Sequence, residues 1–473
     1  MTFWLLILGV LYLAMLAFLS LRSRRKNKTV DDFMLGGSNI GLLLGFMTFS
    51  ATLFSTFTLM GMPDFFRTHG VGAWMFLAVS DGAMVFLIVW FGFHVRNKVA
   101  ERGFKGVSGL LISCYQNKWA GYVYFIGIFL FLVPYVAIQI RGISIFLQAA
   151  FPEFLPSWGW ATVIVGVMLL YSETGGLKAI MFADVMQGLM LMLVVWVIAY
   201  YCVSYFGGIQ PMFEEVETAN AALLSAPGPQ GLFTVQFLLA SFLVILLLPV
   251  TQPQFTTRII IMRDIRSTHH MAVAVGVFAI LVILPTIPIG LYGAIKYADA
   301  PTATYLSQVL LFDQLDLVAA AAIIGLIAAA LSTSDSQIFA MGSELRSLLH
   351  GDERKVLLQA KFGIVFFAVA ALIFSIISSD QLVLLARVSF AGTSLLGPMV
   401  LAGVLRKESP GKIIIFATGL GLLIFIGSLI EIIPSSVGGM RMDLLLLSTL
   451  TLITLVSVYR KKYIAEKRRV KTS

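Results

Sequence analysis

Cysteine is almost absent from this 473-residue chain: Cys114 and Cys202 stand far apart in apolar surroundings. That excludes a disulfide framework and a cysteine-built metal site. Charge is scarce too, with Asp, Glu, Lys and Arg together making 12% of residues. The five histidines, His69, His94, His269, His270 and His350, sit in loops or at the ends of apolar runs without clustering, which argues against transition-metal binding. No Gly-x-x-x-x-Gly-Lys phosphate loop is present, so the chain does not use ATP by that route. No histidine or nucleophile motif lies inside an apolar run, so an enzyme is not expected. Polar linkers long enough to separate a second soluble domain are missing as well.

What the chain has in excess is apolar length. Hydrophobic residues make 59% of it and the mean hydropathy is +0.93, the composition of an all-α polytopic membrane protein. Apolar stretches of about 17 residues or more fall near 2–21, 40–62, 72–95, 118–150, 158–173, 180–206, 231–250, 269–295, 315–343, 356–378, 382–405, 412–433 and 442–460. These are 13 expected spans. The first is followed by Arg22-Ser23-Arg24-Arg25-Lys26 without a small-residue cleavage site, so it is expected to be retained. Placing the N-terminus outside puts Arg22 to Lys28, Arg96 to Lys105, Arg258 to Arg266, Arg354-Lys355, Arg406-Lys407 and Arg460 to Lys471 on the cytoplasmic side of a plasma (inner) membrane. That is a strong positive-inside bias. It also explains the net charge of +9 without a nucleic-acid partner; the basic tail is expected to touch anionic lipid headgroups.

The ninth span carries Ala329-Ala330-Leu331-Ser332-Thr333-Ser334-Asp335-Ser336. At roughly 100° per residue, Ala329, Ser332, Thr333 and Ser336 share about a third of the helix circumference, with Asp335 on its shoulder and Ser334 pointing away. Such a stripe offers neutral oxygens to a small hard cation, or lets helices pack closely. Two other spans are expected to be broken. The second reads Ser50-Ala51-Thr52-Leu53-Phe54-Ser55-Thr56-Phe57-Thr58, with Gly61 and Pro63 beyond; its hydroxyls compete for backbone groups. The seventh ends Leu248-Pro249-Val250-Thr251-Gln252-Pro253, where two prolines remove donors. These spans each open a group of five, two to six and seven to eleven, a spacing that fits an inverted repeat with broken helices at matching places.

Five stretches stand out together: Asp32-Phe33-Met34-Leu35-Gly36-Gly37, Leu59-Met60-Gly61-Met62-Pro63, Tyr171-Ser172-Glu173-Thr174-Gly175-Gly176-Leu177 running on to Asp184-Val185-Met186-Gln187, Gln252-Pro253, and Ala329 to Gln337. In these the chain resembles the sodium:solute symporter family. The resemblance covers about residues 30–405. It implies a leucine-transporter-type core over 40–405, with inverted repeats at about 40–206 and 231–405, one extra span and a basic loop in 1–39, and two further spans with the tail in 406–473. It also implies a main sodium site built from the carbonyls of Ala51, Phe54 and Ala329 and the hydroxyls of Ser332 and Thr333. In some members an aspartate matching Asp184 joins two hydroxyls around a second sodium. Here Asp335 and Ser336 occupy those positions, and the carboxylate at 335 departs from the serine expected, leaving a second cation or a carried proton open.

Asp184, just inside the sixth span, is a functional candidate because a membrane carboxylate is costly, or else a first-turn acid favoured by the helix dipole. Arg141 stands mid-span in the fourth, where a guanidinium needs an anionic partner. A substrate carboxylate would match its fork; an internal salt bridge to Asp81, or snorkelling to an interface, are the alternatives. Ser55, Thr58, Asp81 and Gln252 complete the expected substrate group, while Arg387 and Glu431 have no assigned place. The expectation is sodium-coupled symport of a small organic solute bearing a carboxylate, with Na+, the solute and membrane lipid as partners. A solute-sensing module serving a signalling partner, a proton-coupled carrier and an ion channel are the alternatives.

Overall fold

The computed structural model describes residues 1–24, 30–37, 39–378 and 382–472. Helix dominates, as it must where no water is present to satisfy backbone groups; the strands among the described residues are the two-residue pair Ser436–Val437 and Met440–Arg441. Ten described helices are long and apolar enough to cross a membrane, and the bent pair Leu42–Leu53 plus Phe57–His69 makes eleven. Two shorter apolar helices, Ser157–Leu170 and Val235–Leu246, lie where the fifth and seventh spans are expected. The thirteen expected spans thus become eleven full-length crossings and two short ones, for local reasons.

The seventh span is cut into Val235–Leu246, Leu248–Thr251 and Pro253–Ile260, with Pro249 and Pro253 each at the start of a piece. The fifth and sixth run together from Ser157 to Tyr205 but turn at Gly176, whose φ of 65° and ψ of −174° belong to a region essentially closed to side chains. The second span bends by 52° at Phe54, where φ is −100° and ψ 123°. Gln252 adopts nearly the same conformation, φ −102° and ψ 122°, so the two breaks are alike in backbone geometry. Each is supported by side chains. Ser55 N donates to Thr58 Oγ1 at 3.1 Å, Phe57 N to Ser55 Oγ at 3.2 Å and Thr56 N to Gln139 Oε1 at 3.1 Å. At the other break, Thr256 Oγ1 and the Tyr124 hydroxyl donate to the carbonyls of Pro249 and Thr251 at 2.8 and 2.9 Å.

The basic loops gather at one end. Arg96 Nη1 donates to the carbonyls of Ile260 and Met262 at 2.9 and 2.6 Å, closing off the C-terminus of the seventh span. Lys98 Nζ reaches the Arg406 carbonyl at 2.8 Å and Lys461 Nζ that of Pro410 at 3.0 Å. Here Ile40 also pairs with the end of the seventh span, its N–H on the Ile261 carbonyl at 3.1 Å and its carbonyl accepting from Arg263 at 2.9 Å. Buried Glu344, late in the ninth span, accepts from Val107 N at 2.7 Å and Ser108 N at 2.6 Å, the first amides of the helix Val107–Tyr115. At the opposite end Arg67 ties the second span to the loop after the eighth through the carbonyls of Tyr297 and Ala300, at 2.8 and 2.9 Å.

Two loops hold more structure than the sequence suggests. Residues 207–230 contain the helix Ile209–Asn220, whose Met212 and Val216 pack with Leu223 and Leu291. A second helix, Thr302–Ser307, runs into the wider turn Gln308–Phe312 before the ninth span. Replacing Gly176 by Ala is expected to lower stability by about 1–3 kcal/mol, the strain of that backbone region. Gly166→Ala, on the same helix with open space around it, is expected to leave stability unchanged or slightly raised. Thermal unfolding in detergent compares the two.

Candidate functional site

The ninth span, Asp316–Leu348, is buried on every side around its middle, as expected of a helix at the centre of a bundle. Its hydroxyl stripe faces the break in the second span. Ser332 Oγ lies 3.0 Å from the Ala51 carbonyl, and Thr333 Oγ1 lies 3.5 and 3.4 Å from the carbonyls of Ala51 and Thr52. Of the five residues expected around a main sodium ion, the structure brings Ala51, Ser332 and Thr333 into direct contact. Phe54 is the bent residue of the break itself, and Ala329 lies one turn before Ser332 on the buried helix.

Ser332 makes a second approach, 2.6 Å from Asp184 Oδ1. A hydroxyl has one proton to donate, and the shorter, charge-assisted bond takes it. Its contact with the Ala51 carbonyl is then an approach of two oxygen acceptors, an arrangement that a cation between them would favour. Asp184 in this way fixes where the Ser332 lone pairs point.

The carboxylate of Asp184 is fully buried and held from three directions: by Ser332, by the Thr48 hydroxyl, and by Arg258, whose Nη2 is 3.3 Å from Oδ2. Arg258 corrects the sequence reading. Counted there among the basic residues of a cytoplasmic loop, it is 2% exposed, on the piece of the seventh span beyond the break. Its Nε donates to Thr48 Oγ1 at 3.0 Å, Nη1 to the Gln254 carbonyl at 3.0 Å, and Nη2 also to Ser336 Oγ at 2.6 Å. Thr52 Oγ1 lies 3.1 Å from the same Ser336 oxygen and gives its own proton to the Thr48 carbonyl at 2.8 Å. One polar network thereby joins spans two, six, seven and nine. The sequence signal was present, since Ile259-Ile260-Ile261-Met262 follow Arg258, which is unlike a solvated loop. Asp335, the third residue expected at a second cation site, stands apart: both carboxylate oxygens are buried without a hydrogen-bond partner among the described residues. Nearby, Gln187 Nε2 donates to the Tyr12 hydroxyl at 2.8 Å, bringing the first span against the sixth.

Beside the break lies a small cavity with about 30 Å³ of water-accessible volume, room for little more than a water or two. Phe54, Phe57, Phe76, Tyr135 and Phe390 supply aromatic walls, with Asp81 and Arg387 as its charged members. Asp81 has no hydrogen bond to a described residue and is 5% exposed. Arg387 uses Nε on Ser241 at 2.8 Å and Nη2 on Asp443 at 2.6 Å. Of the residues expected to meet a substrate, this cavity takes in Asp81 alone. Ser55 and Thr58 are consumed in supporting the break of the second span, and Gln252 is the bent residue of the seventh, donating to Thr393 Oγ1 at 3.4 Å and accepting from Gln254 at 2.6 Å. Arg141 is half-buried on the fourth span and does not line the cavity; no ion pair joins it to Asp81 among the described residues. Arg387, unassigned from sequence, does line it. Val383 separates this cavity from a larger one, about 190 Å³, toward the end marked by Asp64, His69 and Thr302.

The Asp184–Arg258 pair is worth about 5 kcal/mol of Coulomb attraction at 3.3 Å and an effective dielectric of 20. Desolvating each ion costs several kcal/mol, so the pair roughly breaks even and stability alone does not account for it. Asp184→Asn, which strands the guanidinium, is expected to destabilise the protein by about 3–5 kcal/mol. Replacing both residues by apolar ones of similar volume should cost far less. Unfolding in detergent, followed by tryptophan fluorescence, measures both.

The chain is 22% identical over 423 residues to the osmoregulated proline transporter OpuE of Bacillus subtilis (strain 168), covering 85% of this chain and 83% of that one. It is 22% identical over 304 residues to the sodium/pantothenate symporter of Escherichia coli (strain K12), covering 62% and 61%. A 23% match to the uncharacterized symporter YhjB of Bacillus subtilis (strain 168) covers 47% and 45%; the last two matches each span less than two thirds of the relative. Among solved structures, a Na+-coupled sialic acid symporter in a substrate-bound outward-open state has a TM-score of 0.77 at 15% identity over 94% of each chain. MHP1, a nucleobase-cation-symport-1 family transporter, has a TM-score of 0.57 at 11% identity over 92% and 95%. The fold is therefore of the leucine-transporter type, shared with these two transporters. The profile of the Sodium:solute symporter family matches residues 33–405, and the chain belongs to that family.

Proposed function

We propose that this membrane protein is a secondary active transporter that takes up a small organic solute together with sodium. The observation that carries the reading is the approach of the Ser332 and Thr333 hydroxyls to the Ala51 carbonyl at the break of the second span. Uncharged oxygens suit a hard ion that must later be released. Sodium held between spans two and nine would favour one orientation of the bundle, and its departure the other. Inward movement of one charge supplies about 2.3 kcal/mol per 100 mV of membrane potential. The positive-inside pattern orients the cycle, with the basic end in the cytoplasm.

The solute is proposed to carry a carboxylate, and the support now comes from Arg387 instead of Arg141. Asp81 in the same aromatic-walled cavity suits an ammonium group, so a small amino acid matches both charges. The cavity must widen to admit it. A proton-coupled cycle is the second reading, favoured by the unpartnered carboxyl of Asp335.

Purified protein in proteoliposomes is expected to accumulate a labelled amino acid or monocarboxylate under a sodium gradient. Ser332→Ala combined with Thr333→Ala should abolish the sodium dependence. Asp81→Asn should raise KM at least tenfold for an amino acid and leave a monocarboxylate little changed. Uptake driven by a proton gradient alone, or confined to neutral sugars, would contradict the proposal.

A further inference from the structure

Two of the three residues expected around a second cation, Asp184 and Ser336, are occupied by a side chain of the protein itself. Arg258 Nη2 is 3.3 Å from Asp184 Oδ2 and 2.6 Å from Ser336 Oγ, and Nε is 3.0 Å from the hydroxyl of Thr48, which itself donates to Asp184. All four residues are at most 2% exposed. We infer that the guanidinium of Arg258 is a tethered cation that fills the second ion site, so that a single sodium ion binds per transport cycle.

The chemistry at this point leaves no place for another metal ion. Sodium bound by Asp184 Oδ2 and Ser336 Oγ would compete with Nη2 for the same two oxygens, and would lie within a few ångströms of a fixed positive charge in a buried setting where that repulsion is weakly screened. The site is also built from both sides. Nη1 is anchored on the Gln254 carbonyl one turn back along its own helix, and Ser336 Oγ, accepting from Nη2, is left to donate to Thr52 Oγ1 at 3.1 Å, since Thr52 gives its own proton to the Thr48 carbonyl at 2.8 Å. Asp335, the remaining residue of the expected set, is not drawn in.

The tether has a consequence for the main site. A carboxylate that depends on a dissociable ion loses its counter-charge each time the ion leaves. With Arg258 permanently beside it, Asp184 keeps its partner throughout the cycle, and Ser332, 2.6 Å away, keeps its lone pairs directed at the break. Arg258 sits on Pro253–Ile260, the piece of the seventh span beyond its own break. The fixed cation therefore links the two discontinuous spans, and only the ion between Ala51, Ser332 and Thr333 is exchanged.

This inference rests on the sodium-coupled reading, and counting bound ions separates the two. Purified full-length protein in detergent is titrated with 22Na+, choline replacing sodium. The wild type is expected to bind one ion per chain with a Hill coefficient of 1. Arg258→Ser, which frees Asp184, Ser336 and Thr48, is expected to bind two, with a Hill coefficient above 1 and a melting temperature that rises with sodium more steeply than that of the wild type. Arg258→Lys, which keeps a charge in place, should remain at one. Two ions on the wild type, or one ion on a monodisperse Arg258→Ser protein, would overturn the inference. If Arg258→Ser does not fold, the wild-type count still decides: one ion supports the tethered cation and two overturn it. Absence of any saturable binding to the wild type would overturn sodium coupling itself, and this inference with it.

Discussion

A backbone group at membrane depth has no water to turn to, and this constraint shapes the centre of the molecule. The second and seventh spans each abandon helical geometry in mid-course, at Phe54 and Gln252. Each break survives because neighbouring side chains take up the freed groups: Ser55, Thr58 and Gln139 at one, Thr256 and Tyr124 at the other. Hydroxyl-rich sequence around the breaks is thus structural before it is functional. What remains after the amides are satisfied is a carbonyl, that of Ala51, turned toward the buried hydroxyls of the ninth span. The candidate ion site is the residue of that accounting.

Charge at the same depth obeys a parallel rule. Asp184 is tolerated because Arg258, Thr48 and Ser332 surround it; Arg387 is tolerated because Asp443 and Ser241 receive it and Phe237 lies 4.7 Å beneath its guanidinium. The contrast with Asp81 and Asp335 is informative, since neither carboxyl has a hydrogen-bond partner among the described residues. The Asp184–Arg258 pair holds spans together. Asp81 and Asp335 are the carboxyls left available to a solute or a proton, Asp81 in the cavity that Arg387 also lines.

Much of this was legible in the sequence where a local rule governs. The ninth-span stripe followed from helical period, the breaks from prolines and clustered hydroxyls, and the gathering of basic loops from charge alone. The signals failed where the answer depends on a distant partner. Arg258 reads as a loop residue until Asp184, on another span, is seen to receive it. Arg387 carries no local sign of the cavity it lines, because that cavity is assembled from side chains of several spans. Arg141 shows a related limit: a mid-span position in sequence does not decide which face of the helix a side chain takes, and Arg141 is not among the residues that line the cavity. The helix Ile209–Asn220 lies in a stretch punctuated by Pro211, Pro227 and Pro229, and its local signal is slight, Met212 and Val216 standing one turn apart on a buried face.

The account turns on an alkali ion seated between the Ala51 carbonyl and the hydroxyls of Ser332 and Thr333. An experimental structure with thallium(I) in place of sodium tests this directly through the anomalous signal of the heavier ion. The account predicts one intramembrane peak, between the break of the second span and the ninth-span stripe. No peak there, or a peak beside Asp184 and Ser336 with Arg258 displaced, would contradict it.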